Sequence, residues 1–542
     1  MRLFALSICG LMIAAMVFAV ARHSLNFSPH DDWADSIGVA LAIKLKEGRL
    51  TPNDLFVPYN GHPLLVWRLV TAAHTALFNY DVRVEQWLTI LLVCLNFALM
   101  GKLLWHGFGR AAPPLYWIGM VLIACLLFTP RHTYNYLWGV SLIWAGSVTC
   151  FLLGLWLIVS VKSALWRFCG LLAAATIAFF TQGVGAVLWL AWLPSAWLRG
   201  ERSRRFWFFY GVGTALFLAA RFLLGEGVQS RASIAVDGFS ISRSFTYFGI
   251  LLGNVIIVYE VILIGLGIAV VAFWMVSIVA LLRLGAPLPE VGVLASIGAF
   301  AVLAAALISV ARHDIVPLLI SSSLYLVHTQ LIWIACVVAS LWLIHLQIQK
   351  RVGRLGRYGV LVNTGMLASL IGVTFFFHVP LYQTSFQREF DCMWRYAFSG
   401  EIACTAEFVP RFAQNAVPRL EGMIAHRLGA FNQAPQRAFE VPFDASWRIP
   451  DLPYRYLLHV TAHLTCPDGS LFQVSAVQPT GQIMTAAATL SESAAYIRLD
   501  LSAWRGKPFR LMYHLESAQA DGSCQATAQL RAFMHVEALS AP

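Results

Sequence analysis

Charge is scarce in this chain. Charged residues make up 12% of its 542 positions, against about 25% in soluble domains, which excludes an ordinary soluble enzyme. Acids are the scarcer sign, with 27 Asp and Glu against 38 Lys and Arg and a net charge of +11. A basic excess suits nucleic acid, but here the cations gather at the ends of apolar runs. That excludes a nucleic-acid footprint, so no nucleic-acid partner is expected. CxxC motifs, zinc-spaced Cys and His pairs, internal repeats and low-complexity stretches are also missing. Their absence excludes a zinc knuckle and a solenoid.

What the chain has in abundance is apolar sequence: 59% hydrophobic residues and a mean hydropathy of +0.69. Apolar runs stand at 3–22, 85–105, 115–130, 136–161, 166–181, 183–198, 205–224, 247–282, 290–310, 318–347 and 357–378. A bilayer span needs about 20 residues, so the expected fold class is a polytopic α-helical membrane protein of about 11 transmembrane helices. The pair 166–198 is short, and 247–282 is long enough to hide a hairpin. Residues 3–21 exceed an ordinary signal-peptide core and no small-residue cleavage site follows, so they read as a retained first span. With the N-terminus cytoplasmic, Lys102, Arg110, Lys162, Arg167, Arg199, Arg283 and Lys350 fall in the cytoplasm, as the positive-inside rule requires. The expected location is the plasma (inner) membrane, with the C-terminal domain outside.

From about residue 380 the composition changes. Six of the ten cysteines lie in apolar runs, where a small buried hydrophobe explains them. The other four, Cys392, Cys404, Cys466 and Cys524, fall in the tail, an even number that suits two disulfides in an oxidising compartment. From Tyr454 the pattern alternates, as in YRYLLHVTAHLT and AAYIRLDL, with turn-rich links such as CPDGS and QPTGQ. That predicts an antiparallel β-sandwich. The domains expected are 1–379, transmembrane with a first extracytoplasmic loop at 23–84, and 380–542, soluble and mostly β from about 454.

The unusual polar residues converge on the outer side of this topology. In the loop SPHDDWADSIGVALAIKLKEGRLTPNDLFVPYNGHPLL, Asp31 and Asp35 are four apart and share a helix face, while Asp32 points elsewhere. Capping a helix start accounts for such acids; a general base or a divalent-cation ligand is the functional alternative. Asp54 and His62 follow, His62 in a Gly/Pro turn. Arg131, Gln182, Arg231, Arg312 and His313 lie on the same side. Arg312 adjoins an apolar run, where ionisable groups line cavities and have partners. Arg131 and Arg231 suit phosphate recognition or simply anchor to lipid headgroups. Glu260 lies inside a long apolar run and needs a polar partner.

At these residues the chain resembles a known class. A first span, a long acidic outer loop, a many-span body and an outer C-terminal domain look like the GT-C superfamily of integral-membrane glycosyltransferases. DLFVPYNGHPLLVWRL followed by YDVRVEQWLTILL is similar to a bacterial group with a Leu-aromatic-x-Pro-x-Asn-x-His motif, here Leu55, Phe56, Pro58, Asn60 and His62. ARHDIVPLLISSSLYL is similar to that group's later small-Arg-Tyr segment, with His313 in place of Tyr. The resemblance implies a polyprenyl-phosphate sugar donor and a glycan or lipid-linked acceptor. It implies Asp32 or Asp31 as base, Asp32 preferred, and Arg312 with Arg231 on the donor phosphate. No cofactor is certain; a divalent cation stays open.

Three other readings compete. A flippase or transporter of lipid-linked saccharides would carry broken helices in related halves, and no such repeat is present. A polymerase of lipid-linked saccharides places its large loop late rather than early. A membrane-anchored binding protein would not need so many spans.

Overall fold

The computed structural model describes residues 2–26, 37–57, 64–129, 132–201, 203–226, 240–254, 260–311, 325–349, 413–432, 438–441, 443, 446–452, 454–465, 470–489, 494–516 and 525–538. It is mostly helical, with β-structure confined to the C-terminal part. The chain forms two compact units. One comprises residues 1–24, 51–70 and 83–383; the other comprises 25–50, 71–82 and 384–542.

The first unit holds α1 (Arg2–His23), α3 (Pro52–Phe56), the start of α4 (Leu65–Phe78), α5 (Arg83–Leu104), α6 (Pro113–Leu127) and α7 (Thr133–Leu137). It continues with α8 (Leu142–Ser160), α9 (Ala164–Thr181), α10 (Leu188–Leu198), α11 (Arg204–Glu226), α12 (Ile241–Gly253), α13 (Glu260–Arg283), α14 (Leu288–Ala311) and α15 (Leu326–Gln349). Among the described residues, 7 helices are long and apolar enough to cross a membrane: Arg2–Arg22, Arg83–Gly109, Gly139–Ser160, Ala164–Thr181, Ile262–Arg283, Leu288–Val310 and Leu326–Gln347. The runs at 115–130 and 183–198 appear as shorter apolar helices. The run 357–378 lies outside the described residues.

The long run 247–282 is divided between α12 and α13, which pack on each other. Small residues make this possible. A Cβ added to Gly267 would fall 2.0 Å from the Gly249 carbonyl oxygen, and one on Gly253 would fall 2.0 Å from that of Leu263. Such close backbone approach is how helices associate where lipid supplies no hydrophobic drive. In α10, Pro194 removes one ladder donor, and the next amide, Ser195, donates instead to Ser296 Oγ on α14 at 3.0 Å.

The second unit holds two four-stranded antiparallel sheets, ordered β1-β8-β3-β6 and β2-β7-β4-β5. The strands are β1 (Ala438–Glu440), β2 (Ser446–Arg448), β3 (Tyr454–Thr465), β4 (Leu471–Val477), β5 (Ile483–Thr489), β6 (Ala494–Asp500), β7 (Pro508–Glu516) and β8 (Gln525–Ala538). Alternate residues of both sheets, among them Leu458, Val460, Phe472, Val474, Ile497, Leu511 and Met534, enter one buried cluster. The QPTGQ link closes the β4–β5 hairpin. Gly481 supplies its positive φ of 85°, and Gln478 donates its amide to the Gln482 carbonyl at 2.8 Å.

That core extends beyond the tail. Val39 and Ala42 of α2 (Ile37–Lys46), Tyr80, Val82, and Leu420 and Met423 of α16 (Ala413–His426) belong to the same cluster. Asn26 fixes the arrangement by donating to the Gly429 carbonyl at 2.8 Å and accepting the Val82 amide at 2.9 Å. The sequence reading groups 23–84 with the transmembrane part, whereas by compactness 25–50 and 71–82 join the sheet unit.

Candidate functional site

The helical unit buries polar side chains at the ends of several helices. Ser24, just after α1, donates to Gln86 Oε1 at 2.5 Å, and Gln86 Nε2 donates to the Leu137 carbonyl at 2.8 Å. His132 and Gln330 meet at 2.8 Å through Nε2 and Oε1, and Asn135 Nδ2 lies 3.2 Å from His132 Nδ1. An amide oxygen only accepts, so His132 carries its proton on Nε2 and receives the Asn135 bond on Nδ1. Ser147 Oγ lies 2.8 Å from His328 Nε2, 2.9 Å from the Trp144 carbonyl and 3.5 Å from Gln182 Oε1. One hydroxyl proton cannot serve all three. With the Trp144 carbonyl taking it, His328 donates from Nε2, and its buried Nδ1 has no partner among the described residues. His132, Asn135, Ser147 and His328 are all fully buried.

These groups make up a polar seam of three hydrogen-bonded sets that neighbour one another in the chain: His132, Asn135 and Leu137 share one short segment, and His328 and Gln330 lie near the start of α15. Glu85 stands beside it, accepting from Trp67 Nε1 at 3.1 Å. It is the one carboxylate among the buried polar residues described. The seam's other members are amide, hydroxyl, imidazole and main-chain carbonyl groups, which can orient hydroxyls.

Among the residues singled out from the sequence, Gln182 is buried in this seam. Asp54 has a structural duty: its Oδ2 accepts from the Thr51 amide at 2.9 Å and the Thr51 hydroxyl at 2.8 Å, closing a capping box on α3. Glu260 begins α13. Asp31, Asp32, Asp35, Asn60, His62, Arg131, Arg231, Arg312 and His313 lie outside the described residues, as do Cys392, Cys404, Cys466 and Cys524. The described cysteines, Cys9, Cys94, Cys125, Cys150, Cys169 and Cys336, are free thiols. Among the described residues no group of three or more His, Cys, Asp or Glu is placed to hold a metal ion.

The sequence reading passed over Gln86, Ser147, His328, Gln330 and Glu85. A signal for part of the set was present: Gln86, Thr89, Val93 and Asn96 recur at helical spacing in an apolar run and are all buried. Arg68 was passed over as well. It is 2% exposed and donates from Nη1 to the Asp54 carbonyl at 2.5 Å.

The sheet unit presents a different surface. On the outer face of the β1-β8-β3-β6 sheet, Tyr496 hydrogen-bonds His459, whose ring lies 4.2 Å from that of His535. Arg498 and Arg531 are exposed on the same face. Burial, together with His535 and Arg498, holds the His459 imidazole below its ordinary range, with Glu537 pulling the other way.

No family model, no curated protein and no solved structure matches the chain.

Proposed function

We propose that the protein is a GT-C-type membrane glycosyltransferase that moves a sugar from a polyprenyl-phosphate donor to an acceptor outside the membrane. In this reading the acceptor hydroxyl oxygen attacks the anomeric carbon and loses its proton to Asp32, or to Asp31. The bond from that carbon to the phosphate oxygen breaks, and the lipid phosphate leaves with the electron pair. Arg312 and Arg231 neutralise the charge that builds on it. A lipid phosphate needs no acid to depart, so one base and fixed cations suffice.

The observation that supports this reading is the placement of the polar seam. Segments carrying the proposed base, Arg131 and Arg312 adjoin it in the chain: 27–36 follows soon after Ser24, Arg131 precedes His132, and Arg312 lies in the segment between α14 and α15. A hydrogen-bonded seam of amide, hydroxyl and imidazole groups suits orientation of sugar hydroxyls. The finer topology belongs to the same proposal: about eleven crossings, a cytoplasmic N-terminus in the inner membrane, and a C-terminal β-sandwich outside. Its aromatic and cationic sheet face, with Tyr496 56% exposed, suits an acceptor glycan.

The test is sugar transfer from a radiolabelled polyprenyl-phosphate donor by purified protein in detergent. Asp32→Asn is expected to abolish transfer, a loss of about 100-fold or more, while leaving expression and thermal midpoint unchanged. Full activity in both Asp32→Asn and Asp31→Asn would remove the base assignment.

A further inference from the structure

We infer that Arg68 and the first turn of α4 form a buried anion site of the phosphate class. On the transferase reading above, which this inference deepens, its ligand is the phosphate of the polyprenyl donor. Two independent features meet there. The first is Arg68 itself, buried inside the helical unit with 2% of its surface exposed. Among the described residues its guanidinium has one hydrogen bond, to the Asp54 carbonyl, and its Nε has none. It makes no ion pair with a described carboxylate. Asp54 is the nearby acid, and its charge supports the guanidinium against the cost of burial. Its Oδ2, however, is committed to the Thr51 amide and hydroxyl.

The second feature is the start of a 14-residue helix with no acidic residue in its first turn. The first amides of a helix lack intrahelical acceptors, and the dipole is positive there. Helical side chains lean toward the N-terminus, which carries the Arg68 guanidinium back over that turn. Its bond to Asp54, fourteen residues earlier, agrees with that direction. Two positive sources therefore coincide, with no acid in the turn to balance them. A buried cation without a dedicated counter-charge is costly. Phosphate oxygens satisfy both a guanidinium fork and helix-end amides.

The experiment uses the full-length protein in detergent, without any sugar donor. Binding is followed by thermal midpoint and tryptophan fluorescence with a long-chain polyprenyl phosphate, the matching polyprenol, and inorganic phosphate. Wild type is expected to bind polyprenyl phosphate better than polyprenol. Arg68→Met should weaken that binding about 10-fold or more, the scale of a lost charge-assisted hydrogen bond, and Arg68→Lys should weaken it less. Arg68-dependent binding of inorganic phosphate alone would still establish the anion site, with free phosphate as its source. Equal binding of every probe by wild type and both variants would overturn the site. So would a lowered apo midpoint in Arg68→Met without any change in phosphate binding, because Arg68 would then only tie α3 to α4. If Arg68→Met does not fold, Arg68→Lys against wild type decides, and unchanged binding there overturns the site. Failure of the transferase reading looks different: Arg68-dependent phosphate binding with no sugar transfer from any donor.

Discussion

Each unit carries an ion pair, and the two pairs show how differently the units use polar groups. In the helical unit Arg167 and Glu201 pair with side chains 5% and 11% exposed. In the sheet unit Arg455 and Asp500 pair at 3.0 Å with side chains 47% and 44% exposed. The contrast extends further. The sheet unit carries His459, Tyr496, Arg498 and Arg531 on one outer sheet face, whereas the helical unit buries His132, His328, Gln182, Gln330, Glu85 and Arg68. Polar groups inside an apolar body are expensive unless hydrogen-bonded.

The largest effect expected is on the sheet core. Phe472 is fully buried between the two sheets, and Phe472→Ala should cost about 3–5 kcal/mol. Hydrogen exchange measures it, with protection lost across β4 and β7 and unchanged in α8 and α9. Loss of protection in both places would show that the two units unfold together.

Next comes the buried ion pair. Glu201→Gln leaves Arg167 charged and buried, and should cost the helical unit about 3 kcal/mol. Arg167→Met together with Glu201→Gln should recover much of that. The readout is the unfolding midpoint in denaturing detergent. If the double variant is no better than the single, the pair's value lies in its other contacts, such as the bond from Arg167 to the Lys162 carbonyl.

The smallest effect belongs to the exposed pair. Asp500→Asn should change stability by about 1 kcal/mol or less, because solvent screens such pairs. Burial raises the Asp500 carboxyl, but the Ser502 hydroxyl and amide and then Arg455 outweigh it and hold the group below its ordinary range. A depressed carboxylate contributes stability above its unfolded value, about pH 4, and loses it as pH falls through the lowered folded value. His459 acts in the same direction. Its depressed folded value means the contribution is present above the unfolded value, about pH 6.5, and fades below it. Acid titration of β3 and β6 exchange should thus show protection falling below about pH 6.5 and again below about pH 4. Flat protection between pH 7 and 5 would remove the His459 assignment.

Much of the architecture was legible in local patterns. Apolar length marked the seven described helices long and apolar enough to cross a membrane, and period-two alternation marked β3 and β6 nearly residue for residue. The division of 247–282 was visible as excess length, although only backbone contact at Gly249 and Gly267 shows why two helices fit there. Asp54 shows why an acid is ambiguous in sequence: three residues after Thr51, it is both a capping-box partner, as the structure places it, and a carboxylate of the kind a site would use.

By itself the sequence determined the class of this protein, because hydrophobic length and periodicity are local properties that a chain must display to cross lipid or form a sheet. Only the tertiary structure decided which polar residues meet. His132 and Gln330 are 198 positions apart, and Ser147 and His328 are 181 apart; no spacing rule joins them. The same holds for α2 and 71–82, whose apolar residues fit several cores and enter that of the sheets. Burial assigns a polar group its partner, and burial is set by the packing of distant segments.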